Sequence, residues 1–401
     1  MTNRVWWLGF WPTQSAVHWW LTSRVLGDGA VGLVSRPLSG RIPSATVQPL
    51  LGRLVDALAI GAATDDGRRG AVWTGALAEP RAERALAADL GRVLLPPVLT
   101  AALGQAGLDE TVVIAPGPLL ARVPWELLAV DAAGTRLVEK ARIRGGLGAA
   151  IRAADSGRTA PAAGAVRVLD PGPRSAAARA RGGTYAGSVP APVFGPAIDD
   201  RWYDAMGPED DYLNEADTGV PVTKDALSAM LSGRTWQRML YYGHTIAGTS
   251  TAPAAAGLVL ADPGTGGPFE PFVAAEWIRE PARWPAPERV GFVSCHSNDT
   301  HLYEQMGLAM AAVRAGARVV TATRWSLPTD IAVGVSGATP TTDLALAVDT
   351  ALGAPDPVDT IRHWQLGRLS DWRTAPSPAT APLLWASPTT YQVCALAGSP
   401  R

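Results

Sequence analysis

The chain has 401 residues, 47% of them apolar and 18% charged, so it can build a large core and lacks the composition of a disordered chain. Its formal net charge is −1 and no basic block stands out, which argues against nucleic acid as a partner. Two cysteines make no disulfide framework, and no stretch reaches the roughly 18 apolar residues of a membrane helix, so a soluble, cytoplasmic protein is expected.

The first 60 residues carry aromatic pairs: Trp6 and Trp7 with Phe10 and Trp11, then Trp19 and Trp20. Such clusters fill a core or face a partner. The opening apolar run stops at Pro12 with no small-residue cleavage site after it, so no signal peptide is expected. Leu86, Leu90, Val93 and Leu94 have helical spacing within residues 81–105, and Pro96-Pro97 interrupts them. Short apolar strands follow: TVVIA (111–115), VRVLD (166–170), RMLYYG (238–243), GLVLA (257–261), VGFVS (290–294), ARVVTAT (317–323) and TYQVCAL (390–396). Between two of them, Met306, Leu308, Ala309, Ala312 and Val313 mark a helix that ends near Gly316. Strands alternating with helices predict an α/β fold, a mostly parallel sheet with helices on both faces. Residues 171–222 are rich in Pro, Gly, Ala and charge and read as a long loop or insertion. The organisation expected is a small aromatic-rich segment, residues 1–80, followed by one α/β domain, residues 81–401.

No Walker loop, G-x-S-x-G or CxxC pair occurs, and no cofactor is implied. What remains is "RVGFVSCHSNDTH", residues 289–301, which sets a cysteine and a histidine side by side after an apolar run. Sites in open parallel sheets collect at the carboxyl ends of strands. Cys295 directly follows VGFVS, and His244 directly follows RMLYYG. If those strands are neighbours, both side chains open into one crevice. Their separation, 51 positions, is close to the roughly 50-residue His-to-Cys spacing of the caspase signature. A thiolate there could attack a carbonyl while the imidazole sets the thiol's protonation and later protonates the leaving amine. Two other readings stand beside this one. Free cysteine is commonly core. Cys295, His296, Asp299 and His301 could also be metal ligands, although their spacing matches no common zinc pattern. Cys394, inside the last alternating strand, reads as core.

From residue 85 to 398 the chain resembles the CHAT domain family, a caspase-like group related to separase. "TVVIAPGPLLARVPWELLAV" is similar to the family's strand–turn segment, with Pro124, Trp125 and Glu126 in place. "LYYGHTIAG" and "VGFVSCHS" are similar to its histidine and cysteine segments. "QMGLAMAAVRAGARVVTATRWSLPTD" and "LLWASPTTYQVCALAG" are similar to its last helix–strand run and its closing strand. The resemblance implies a caspase-like fold and a cysteine endopeptidase with His244 and Cys295 as the catalytic dyad. It also implies that the N–H groups of Cys295 and Thr245 bind the oxyanion. In the family a glycine usually follows the histidine, whereas here Thr245 follows and Gly243 precedes. An acidic residue near the family's tryptophan reads the P1 side chain, and Asp330 is the nearest match, which implies a basic P1. Asp330 also fits a helix N-cap before IAVGV. With a basic P1, "RSAAARARGG" becomes a self-cleavage candidate at Arg179 or Arg181; the other reading of that stretch is a solvated loop. The partners implied are a protein or peptide substrate and an activating protein in bacterial defence, with no membrane. The alternative function is an inactive caspase-like scaffold that holds a partner through its Trp-rich N-terminal region.

Overall fold

The computed structural model describes residues 3–27, 30–33, 36–58, 73–105, 110–147, 162–171, 199–246, 255–262, 269–294, 307–325, 327–335 and 337–393. The chain groups into two compact units. The first takes Met1–Gly146 and Arg324–Thr389, and the second takes the other described residues.

In the first unit the aromatic N-terminus is a set of strands. β1 (Asn3–Pro12) and β2 (Ala16–Gly27) form an antiparallel hairpin, and β2 also pairs with β3 (Ala30–Leu33) and β4 (Leu38–Pro43). On its other side β1 runs parallel to β5 (Glu110–Ala115), and β5 parallel to β6 (Ala141–Gly145). Successive residues of a strand face opposite ways, so Trp6 and Trp7 serve different faces. Trp6 is buried and donates to Glu110 Oε2 at 2.6 Å. Two strand glycines lie under indoles: a Cβ on Gly9 would overlap Trp20, and one on Gly40 would overlap Trp19. The helix Pro80–Leu94 starts at Glu79, whose carboxylate caps Arg81 N and Ala82 N, and it buries Leu86, Leu90 and Leu94. A second helix, Pro97–Gln105, follows the interruption that the proline pair predicted.

The second unit carries the parallel core. Its strands are β7 (Ala163–Leu169), β8 (Asp211–Leu213), β9 (Trp236–Gly243), β13 (Arg289–Ser294) and β14 (Val319–Thr323), in the order β14-β13-β9-β7-β8, all parallel. The final strand, β15 (Pro388–Gln392), joins β14, where Thr390 and Thr321 share a hydroxyl contact at 2.9 Å. The GLVLA run departs from expectation. It is β11 (Gly257–Leu260), the centre of a small antiparallel sheet between β10 (Thr245–Ile246) and β12 (Glu270–Val273). Four consecutive buried residues look alike in a parallel or antiparallel core strand. Phe272, Trp277, Trp284 and Phe292 pack beneath with ring centroids 4.7–6.1 Å apart. Within the stretch read as a loop, residues 172–198 lie outside the described residues. Residues 199–222 contain β8 and two short helices, Arg201–Asp204 and Glu215–Thr218. Met306 also lies outside the described residues, and the helix it was read into runs Leu308–Arg314.

Candidate active site

The strands that precede the histidine and the cysteine are parallel neighbours. β9 and β13 pair from Arg238↔Arg289 to Gly243↔Ser294, so they end at the same level. The next residue after Gly243 is His244, and the next after Ser294 is Cys295. His244 is half-buried. Cys295, His296, Asp299, His301, Cys394, Arg179 and Arg181 lie outside the described residues. Among the described residues no group of three or more His, Cys, Asp or Glu side chains is placed to hold a metal.

Two buried hydroxyls anchor the chain at this level. Tyr241, on β9, donates to His244 C=O at 2.5 Å, lies 3.0 Å from Val259 C=O, and accepts from Val259 N–H at 3.2 Å. Val259 N–H also reaches His244 C=O at 3.0 Å. On β14, the neighbour of β13, Thr323 Oγ1 donates to Ser294 C=O and accepts Ser294 N–H at 3.3 Å. Tyr241 and Thr323 are both fully buried. No motif in the sequence flagged either residue, because their partners are set by strand register.

Thr245 begins β10 and pairs with Leu258. Because Val259 N–H bonds to His244 C=O, one step off that pair, Thr245 and Leu258 form a non-hydrogen-bonded pair. The backbone amide of Thr245 therefore points away from β11. Its φ is not positive; among the described non-glycine residues only Asp170, at φ 44°, has that conformation. The threonine thus sits here without left-handed strain. Gly243 has a different need for its missing side chain, since a Cβ there would lie 2.9 Å from Pro171 Cδ and 3.0 Å from the Tyr241 hydroxyl. The hydroxyls of Thr245 and Ser294 are buried with no hydrogen-bond partner among the described residues.

Asp170 follows β7 at the same edge and is 2% exposed. Its N–H donates to Tyr242 C=O at 2.7 Å, and Asn214, fully buried, donates to the preceding Leu169 C=O at 2.5 Å. A positive φ just before a proline is costly for a residue with a side chain.

Asp330 opens the short helix Asp330–Val333 in the first unit. Its carboxylate accepts from Thr341 N at 2.7 Å, Thr342 N at 3.2 Å and Thr342 Oγ1 at 2.7 Å. It thereby caps the start of the following helix, Pro340–Gly353, instead of its own. Burial pushes its carboxyl above the usual range, against the hydrogen bonds from Thr342 and Thr341. In the same unit Glu126, of the "VPWEL" motif, takes both amino groups of Arg324 at 2.5 and 2.8 Å, with both residues buried. Trp125 beside it stacks on Phe10 at 5.4 Å. These motif residues build structure.

Parallel strands that end together on a histidine and a cysteine segment, in an α/β framework, define a caspase-like fold. The sequence matches the CHAT domain over residues 84–390, and the chain belongs to that family. Two crystal structures of the Saccharomyces cerevisiae separase–securin complex, at 2.6 and 3.0 Å, are similar to it, with TM-scores of 0.50 and 0.52 and 9% sequence identity. Each match covers 97% of this chain and 30% of the other, so the chain spans about a third of the length of those structures. Among curated proteins nothing matches.

Proposed function

We propose that the protein is a cysteine endopeptidase in which Cys295 is the nucleophile and His244 the general base and acid. The observation that carries this reading is the β9–β13 register, which ends two parallel neighbours on Gly243 and Ser294, one residue short of each. The imidazole takes the thiol proton, and the thiolate attacks the scissile carbonyl. The tetrahedral oxyanion rests on the N–H groups of Cys295 and Thr245. As the C–N bond breaks, His244 gives its proton to the leaving amine and a thioester remains. Water, deprotonated by the same imidazole, hydrolyses the thioester and frees Cys295. A thiol needs less activation than a hydroxyl, so the dyad needs no third carboxylate. Membership of the CHAT family and a fold shared with separase support the chemistry.

A preference for Arg or Lys at P1 follows for Asp330 by resemblance, and activation by a protein partner in bacterial defence follows in the same way. The similar structures are of separase in complex with another protein, securin. The scaffold reading keeps one observation of its own: Trp11 is 44% exposed and stacks on His18 at 5.4 Å, leaving an aromatic face on the N-terminal hairpin.

Intact-mass labelling with iodoacetamide across pH, on wild type, Cys295→Ala and His244→Ala, tests the peptidase reading. Fast alkylation of Cys295 near neutral pH, slowed by loss of His244, is expected. An inert Cys295 in folded protein would favour the scaffold. Fluorogenic peptides ending in Arg, Lys, Asp or Leu test Asp330, and equal cleavage of all four removes it from the P1 pocket.

A further inference from the structure

Each proposed oxyanion donor is the N–H of a peptide whose C=O is already held. The Thr245 N–H belongs to the peptide that begins at His244 C=O, and Tyr241 donates to that oxygen at 2.5 Å. The Cys295 N–H belongs to the peptide that begins at Ser294 C=O, and Thr323 donates to that one. A trans peptide is planar, with its N–H and C=O pointing in opposite directions. Pinning the oxygen therefore aims the hydrogen. The hydroxyl also polarises the amide and makes its N–H a stronger donor.

We propose that Tyr241 and Thr323 are the positioning residues of the oxyanion site, one buried hydroxyl behind each donor peptide. The inference rests on the peptidase reading and adds the element that reading leaves open: what holds the two amides still. Three observations make the arrangement more than two incidental hydrogen bonds. Both hydroxyls lie in a water-excluded interior, where donors keep their direction without reorganisation. Each hydroxyl accepts as well as donates, Tyr241 from Val259 N–H and Thr323 from Ser294 N–H, so neither rotor turns freely. Thr245 and Leu258 form a non-hydrogen-bonded pair, so the Thr245 amide is directed off the outer side of β10, an edge strand of its small sheet. Tyr241 also sits two residues before Gly243 on the same face of β9. A side chain at 243 would crowd the hydroxyl at 3.0 Å, which gives that glycine its purpose.

The test separates the oxyanion site from the thiol. Alkylation by iodoacetamide displaces iodide at a methylene and develops no oxyanion, whereas a peptide aldehyde traps the thiol as a tetrahedral adduct that does. N-acetyl tripeptide aldehydes ending in arginal or leucinal are titrated against the rate of Cys295 alkylation in wild type, Tyr241→Phe, Thr323→Val and Thr323→Ser, with near-UV circular dichroism as the check on folding. Protection by the aldehydes should weaken about tenfold to a hundredfold in Tyr241→Phe and in Thr323→Val. The alkylation rate without aldehyde should fall less than aldehyde protection does, since alkylation develops no oxyanion. Thr323→Ser, which keeps the hydroxyl, should recover protection. Unchanged aldehyde affinity in folded Tyr241→Phe and Thr323→Val overturns the proposal, as does a wild type whose Cys295 alkylates yet is protected by neither aldehyde. Failure of the peptidase reading would look different: Cys295 would not alkylate in any of the proteins.

Discussion

The two ends of the parallel strands in the second unit treat polar groups in opposite ways. Towards the amino ends of β7, β8 and β9, the buried charges Arg167 and Asp210 are closed off by each other. Arg167 is fully buried and donates to Asp210 Oδ2 at 2.9 Å and to Ala205 C=O at 3.2 Å. Asp210 also accepts Ala165 N at 2.8 Å and Gly207 N at 3.0 Å, and Arg238 approaches to 3.6 Å. Arg234 lies over Trp236 at 3.8 Å, beside a cavity of about 410 Å³. At the carboxyl ends the groups are hydroxyls and amides, with a half-buried histidine and an acidic residue in a left-handed backbone conformation. The Arg167–Asp210 cluster is satisfied within itself. The carboxyl end aims its dipoles and leaves two hydroxyls, on Thr245 and Ser294, without a hydrogen-bond partner among the described residues.

If that contrast is right, damage to the two ends should separate stability from chemistry. Asp210→Ala strands the Arg167 guanidinium in the interior and should cost about 3–5 kcal/mol in denaturant unfolding. It should leave the iodoacetamide reactivity of Cys295, read well below the unfolding midpoint, near that of wild type. A large loss of reactivity in folded protein would join the two ends and break the comparison. Gly243→Ala should do the reverse. Its new methyl meets Pro171 and the Tyr241 hydroxyl, for a stability cost of about 1–3 kcal/mol, and aldehyde protection of Cys295 should fall more than stability does. An unaltered site in this variant would mean that Gly243 can be replaced without moving His244.

The pH effects are smaller and opposite in sign. For Asp210 burial pushes the carboxyl up, but the N–H groups of Gly207 and Ala165 and the Arg167 guanidinium outweigh it and hold it below the usual range. A depressed folded pKa contributes stability above the unfolded value, about 3.9, that is lost as pH falls through the folded one. Asp210→Asn should therefore flatten the acid limb of a plot of unfolding free energy against pH. Asp330 is raised by burial, so its contribution is complete below about pH 3.9 and is lost as pH rises through its folded pKa. Asp330→Asn should remove that decline on the rising side. Equal slopes for wild type and either variant would mean that the carboxylate titrates as it does unfolded.

Much of the second unit could be read directly from its residues. RMLYYG and VGFVS stand out as apolar runs that stop just before His244 and Cys295; the sequence left their adjacency as a condition, and the register supplies it. The N-terminal strands were harder to see. Period-2 alternation is lost when Trp6 and Trp7, or Trp19 and Trp20, serve both faces of a sheet. Asp330 matched two templates, and a third partner, the helix beginning at Pro340, took its carboxylate, ten residues further on in the chain. Tyr241 and Thr323 looked like ordinary strand residues. Their hydroxyls gain meaning only once Val259 and Ser294 are brought alongside by pairings that local sequence does not encode.

The indoles over Gly9 and Gly40 carry a consequence for how this chain can vary. Each glycine lies directly across from the tryptophan that covers it, Gly9 from Trp20 and Gly40 from Trp19, in the ladders that join β1, β2 and β4. A slip of one residue would set an indole against a side chain, so the pairs act as keys that admit a single alignment. They also tie the fates of distant positions. A larger residue at 9 becomes acceptable only when position 20 gives up its indole, and the same holds for 40 and 19, so these sites should change two at a time or not at all.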